Sequence, residues 1–161
     1  MKLGFSLLCF VLLGVSAAEP ERKSSTVATN DRAALEAKFK ELLIDCVFNG
    51  RWCLVRDSKL TEEREEKYTL QGATKSGGDV WIIYARIQYG GKDVTLPVPV
   101  QVKWAGDTPV ITLDQVSLPG LGTYSARVLV YDKTYAGTWS GGNHAGLLHG
   151  VIQKRASARQ D

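Results

Sequence analysis

The chain has 161 residues, room for one domain and hardly two. Lys and Arg number 20 against 17 Asp and Glu, a mild basic excess without the clustered positive charge that would point to a nucleic-acid binder. At this length a hydrophobic core can hold the fold without a metal or a disulfide framework.

The N-terminus reads as an export signal. Lys2 precedes an uncharged apolar run over 3–15, and the small residues Ser16, Ala17 and Ala18 stand before Glu19. The run falls short of the roughly 20 apolar residues of a membrane span, and no later stretch of the sequence is apolar enough to make one. Cys9 lies inside the run without the small residues directly before it that would mark a lipid attachment site. The expectation is a signal peptide over 1–18 and a mature protein that is periplasmic or extracellular, with no transmembrane segment. A polar linker over 19–30, a folded domain over 31–152 and a polar tail over 153–161 follow.

Asn30 or Asp31 is suited to cap a helix. Leu35, Phe39, Leu42 and Leu43 then recur at helical spacing, with Glu36, Lys38, Lys40 and Glu41 elsewhere. The spacing predicts one amphipathic helix over 31–44, packed on its own domain. The period next changes to two. Cys46, Phe48, Trp52 and Leu54 alternate with Asn49, Arg51 and Cys53, which predicts a strand over 46–55. On one strand Cys46 and Cys53 lie on opposite faces, about 23 Å apart and beyond bridging. If Asn49-Gly50 instead turns the chain, the two cysteines come opposite each other and a disulfide becomes feasible.

The charged run over 62–67 reads as a solvated connection, and 68–73 as a strand. Gly77, Gly78 and Asp79 turn the chain into a strand over 80–88, with Trp81, Ile83, Ala85 and Ile87 on one face and Tyr84 and Arg86 on the other. A long segment from Val94 to Trp104 alternates again. Pro97 and Pro99 lie on its opposite face and require an edge, a bend or a bulge there. Strands over 110–118 and 124–130, a short run containing Tyr135, Gly137 and Trp139, and a last strand over 144–152 are separated by turns at 105–109, 119–122, 132–133 and 140–143. The fold class is therefore all-β: about eight strands in an antiparallel up-and-down barrel, preceded by one amphipathic helix.

Three blocks carry a resemblance. Residues 103–111 (from Lys103-Trp104-Ala105-Gly106-Asp107 to Ile111), 119–128 (from Pro119-Gly120-Leu121-Gly122 to Val128) and 135–140 (Tyr135 to Ser140) resemble a family of uncharacterised secreted proteins of planctomycete bacteria. The likeness spans about 46–152. It implies a lineage and an exported address and carries no activity. Gly50-Arg51-Trp52 is similar to the G-x-W element on the first strand of lipocalins, and Gly137-Thr138-Trp139 to a strand motif of avidins. Both belong to the calycin barrels, many of which bind small apolar or amphipathic molecules. That likeness supports the single-strand reading of 46–55.

The chemical inventory is thin. His144 and His149 are the two histidines, five residues apart on one strand and so on opposite faces, which argues against a shared metal. Neither Cys46 nor Cys53 has a histidine nearby in sequence, and no nucleophile elbow, zinc-protease motif or phosphate loop occurs. Gly141-Gly142-Asn143 is a turn with no helix after it to bind an anion. Asp107 suits a backbone-capping role in its turn, and nothing pairs it with Asp114 as acid and base. No catalytic constellation and no cofactor site is expected. The sequence is read as a binding module for a small apolar or amphipathic ligand, with Trp52, Trp81, Trp139, Arg86 and Arg127 lining or rimming the interior and the arginines suited to an anionic head group. The alternative is a structural or protein-interaction domain of the cell envelope, with a packed barrel and no ligand.

Overall fold

The computed structural model describes residues 24–155. The expected signal peptide over 1–18 and the end of the tail lie outside the described residues. From Cys46 onward, apolar side chains at alternate positions give each strand one face that must leave water. Eight long strands meet that need by closing on one another: β1 (Cys46–Arg56), β3 (Arg64–Gly77), β4 (Val80–Tyr89), β5 (Lys92–Ala105), β6 (Thr108–Leu118), β7 (Gly122–Tyr131), β8 (Thr134–Gly141) and β9 (His144–Lys154). A two-residue strand, β2 (Lys59–Leu60), folds back on the end of β1. Every long strand pairs antiparallel with the next, and β9 returns to β1 in a register running from Cys46↔Lys154 to Leu54↔Gly146. The result is a closed eight-stranded up-and-down barrel. The interior is apolar, while Arg51, Lys67, Arg86, Lys103 and Arg127 are exposed outside. That sidedness is the reverse of a membrane-spanning barrel, whose outer face carries an apolar band. Among the described residues, no helix is long and apolar enough to cross a membrane.

The helix α1 (Ser24–Leu43) starts earlier than the spacing predicts, so the polar stretch from 24 to 30 is helical rather than linker, and neither Asn30 nor Asp31 caps the start. Once the C-terminal half is docked, adding turns upstream costs little, because nucleation has already occurred. Phe39 and Leu43 are the helix residues buried most completely. Phe39 packs edge-on against Trp81 (5.4 Å between ring centroids) and Trp104 (6.2 Å). The Arg32 guanidinium lies 4.9 Å from the Trp104 ring centre, and Glu36 pairs with Lys75. Asp45 ends the helix in the left-handed region (φ 43°), and Lys154 Nζ donates to the carbonyls of Glu41 and Ile44. The last strand thereby fixes the helix across the end of the barrel where β1 begins; among the described residues, no helix covers the other end.

The charged run over 62–67 is not a solvated connection. β3 begins at Arg64, and its alternation carries Glu66 inward along with Tyr68 and Leu70. Isolated charges mask a period of two, but the parity set by Tyr68 and Leu70 extends back to Glu66. Pro97 and Pro99 sit where β5 pairs with β4 alone, since the β5–β6 ladder spans only Gln101↔Thr112 to Ala105↔Thr108. That stretch is a local edge, as two missing amide donors require.

If the helix is a stopper, truncating its buried ring should loosen the whole domain. Phe39→Ala is expected to cost about 3 kcal/mol or more in urea denaturation. Lys38→Ala, exposed on the same helix, should change stability by less than about 0.5 kcal/mol. Equal midpoints for the two variants would show that α1 does not close the barrel.

Candidate functional site

Small residues opposite large ones shape the lumen. Gly50 on β1 faces Gly150 on β9, which in turn faces Tyr135 on β8. A methyl group on Gly50 would strike the Tyr135 hydroxyl and the His149 carbonyl, and one on Gly150 would meet the Tyr135 ring and the backbone of Asn49 and Gly50. The tyrosine ring therefore lies across two glycines. Gly146, opposite Trp139, makes the same room for an indole. These positions give the G-x-W and G-T-W elements a packing role.

Laid flat, Tyr135 reaches the carboxyl of Glu66. Its hydroxyl donates to Oε1 at 2.9 Å, and Tyr68 donates to Oε2 at 2.7 Å. Glu66 is only 5% exposed. Burial raises its pKa above the ordinary 4.5, against the opposing pull of the two tyrosine hydroxyls and of His149. The Tyr68 and Tyr135 hydroxyls are themselves pushed well up, first by burial and then by the Glu66 charge, so both remain protonated donors.

Four aromatic rings stand near Glu66, toward the end away from the helix. Trp52 contacts Trp139 (5.6 Å) and Tyr89 (6.3 Å), and Trp139 contacts Tyr124 (6.4 Å). The hydroxyls of Tyr89 and Tyr124 meet at 2.7 Å and close the circuit. Between this ring and the layer under the helix lies a cavity of about 230 Å³. Its walls include Phe48, Leu70, Ile83, Val100, Val128 and Leu148, and among the described residues Glu66 is the one carboxyl that lines it. The indole Nε1 atoms of Trp52 and Trp139 are buried and have no hydrogen-bond partner among the described residues. Native interiors rarely leave such donors unmet.

The structure brings two of the five expected site residues together. Trp52 and Trp139 share the ring. Trp81 is buried beneath Phe39, away from the cavity lining. Arg86 and Arg127 do not point inward. Arg86 lies on the outer face and forms a forked pair with Asp93 on β5. Arg127 spans the β6 bulge, where Gln115 has φ 49°: it donates to the carbonyl that Leu113 leaves free and pairs with Asp114. Both arginines share a strand face with exposed neighbours, so their parity already placed them outside. Glu66, Tyr68 and Tyr135 are site residues that the sequence hides, because Glu66 lies within a run of charges typical of a solvated segment.

Cys46 and Cys53 lie on one uninterrupted strand, and both are free and buried. Asn49-Gly50 does not turn. Burial pushes the Cys46 thiol up to about 11, the condition of an inert packing cysteine. His149 faces outward onto Glu63 at 2.9 Å. The Asp107 carboxylate takes the Thr108 hydroxyl at 3.3 Å. Among the described residues, no group of three or more His, Cys, Asp or Glu is placed to hold a metal. No known protein-family model, curated protein or solved structure matches the chain.

Two outcomes test the site's physics. A carboxyl with a raised native pKa binds more protons folded than unfolded. Its contribution to stability is therefore complete below the unfolded value and is lost as pH rises through the native one. Relative to Glu66→Gln, the wild-type protein should lose stability as pH is raised above 4.5, as read by urea midpoints at a series of pH values. A difference that does not vary with pH would place the carboxyl in water. Gly150→Ala should cost about 1–3 kcal/mol in the same assay, because Tyr135 has nowhere to move. A neutral result there would mean the ring does not lie across the glycines.

Proposed function

We propose that this chain is an exported binding module that holds one small, largely apolar molecule inside its barrel, near Glu66. The observation that carries the reading is the cavity of about 230 Å³, walled by apolar side chains with its polar groups gathered at one place. Small-molecule sites have this character: apolar walls and a few polar groups that fix orientation. An engineered apolar cavity of about 150 Å³ accepts benzene. The lumen is therefore suited to a molecule of one or two rings, or a short chain. The leader-like N-terminus and the resemblance to secreted proteins support an address outside the cytoplasm. Among the described residues, the cavity lining holds no serine, cysteine, histidine or lysine, which favours binding over covalent catalysis.

An outer patch supports a second reading, an interaction domain of the envelope. Tyr131 is 64% exposed; Leu129 (41%) lies two residues before it on β7, and Val151 (46%) lies on β9, across Thr134 of β8. Native mass spectrometry of protein purified from its source separates the two. The first reading expects a co-purifying small molecule that is lost in Ala126→Phe, a substitution that fills the lumen. It also expects the molecule to be retained in Tyr131→Ser. Protein that carries no small molecule and accepts no neutral aromatic probe such as naphthalene would leave the interaction reading standing alone.

A further inference from the structure

The hydrogen-bonding capacity left free inside the barrel identifies a ligand class, provided that the lumen is a binding site as argued above. The protons of all four cavity tyrosines are committed. Tyr68 and Tyr135 donate to Glu66. Tyr124 donates to the Leu121 carbonyl at 3.0 Å, so in its pair with Tyr89 it is Tyr89 that donates. What remains on these groups is acceptor capacity: the outstanding lone pairs of the carboxyl and of the Tyr68, Tyr89 and Tyr135 oxygens. Among the described residues, no lysine, arginine or histidine lines the cavity. Glu66 is therefore the one group there that can become charged, and that charge is negative.

The surroundings of this carboxyl suit a cation. Glu66 stands directly opposite Tyr89 in the β3–β4 ladder and opposite Gly50 in the β1–β3 ladder, two residues from Trp52. The ring of Trp52, Tyr89, Tyr124 and Trp139 is thus adjacent to it. Aromatic faces attract cations through their quadrupoles, most strongly where water is excluded. His149 eases the charge of Glu66 from outside the barrel and the Arg64 guanidinium stands 5.5 Å from the Trp52 ring centre, but among the described residues no cation lines the lumen itself; a buried carboxylate is costly there, and a bound cation would offset that cost. We propose that the ligand is a small organic amine, bound as its ammonium ion with the nitrogen on Glu66 and the apolar body in the lumen. The unpartnered indole donors of Trp52 and Trp139 would receive an acceptor atom, such as a hydroxyl oxygen, on the same molecule. This replaces the anionic head group expected from Arg86 and Arg127, both of which are spent on the outer surface.

Three probes of similar shape test the proposal: 2-phenylethylamine, 2-phenylethanol and phenylacetate. Each is titrated into the full-length protein while the tryptophan indole N–H signals are followed by NMR. The amine should bind about tenfold or more tighter than the alcohol, and phenylacetate should bind more weakly than either. In Glu66→Gln the preference for amine over alcohol should fall below about threefold. If Glu66→Gln does not fold, the ranking on the wild-type protein decides. Equal affinity for amine and alcohol, or tighter binding of phenylacetate, would overturn the amine assignment and leave the binding cavity intact. Failure of all three probes to bind would overturn the cavity reading and the amine with it.

Discussion

Closing eight strands on themselves creates a lumen that must be filled without bursting the wall, and the β1–β9 seam is where this chain meets that constraint. Three glycines, Gly50, Gly146 and Gly150, face inward on these two strands. A side chain on any of them would strike the backbone of the other strand or an aromatic ring. Their bareness lets Tyr135 and Trp139 lie flat against the wall. Large rings over bare backbone keep packing dense at the seam while leaving space in the middle of the barrel. The helix completes the enclosure by burying Phe39 and Leu43 at one end. The polar groups gather toward the other end because Tyr135, once flat, reaches Glu66.

This arrangement links fold to function. Glu66 costs stability where it is, since burial disfavours its charged form and two tyrosine hydroxyls only partly compensate. Packing alone would be served better by an apolar residue of similar volume. A carboxyl kept in such a place, beside a ring of four aromatics and two unmet indole donors, makes sense if something else occupies the space. The exposed ion pairs, Arg86 with Asp93 and Arg127 with Asp114, serve a different purpose. They tie neighbouring strands and secure a bulge, and at the surface such pairs add little stability.

Much of the fold was legible because alternation is a strong signal wherever the apolar face is unbroken. β4 placed Trp81, Ile83, Ala85 and Ile87 inside and Tyr84 and Arg86 outside, as the period of two requires. Pro97 and Pro99 announced a local edge, which the β5–β6 ladder shows. The site was less legible. Glu66 sits among five other charged residues, and composition overrode the parity that Tyr68 imposes. The helix start is not legible because residues 24–30 carry little apolar periodicity, and their helicity follows from attachment to a docked segment. The roles of Gly50 and Gly150 needed the strand register, because nothing in a local window reveals that two glycines from the first and last strands will share one tyrosine.

The central claim is that the closed barrel encloses real space beside Glu66. A crystal structure determined under xenon pressure tests it most directly, because xenon enters apolar voids and marks them with strong density. The account predicts xenon in the lumen among Ile83, Val100 and Leu148, with β1 paired to β9 and the Tyr135–Glu66 bond intact. A lumen filled by side chains with no xenon site, or a barrel open between β1 and β9, would contradict it.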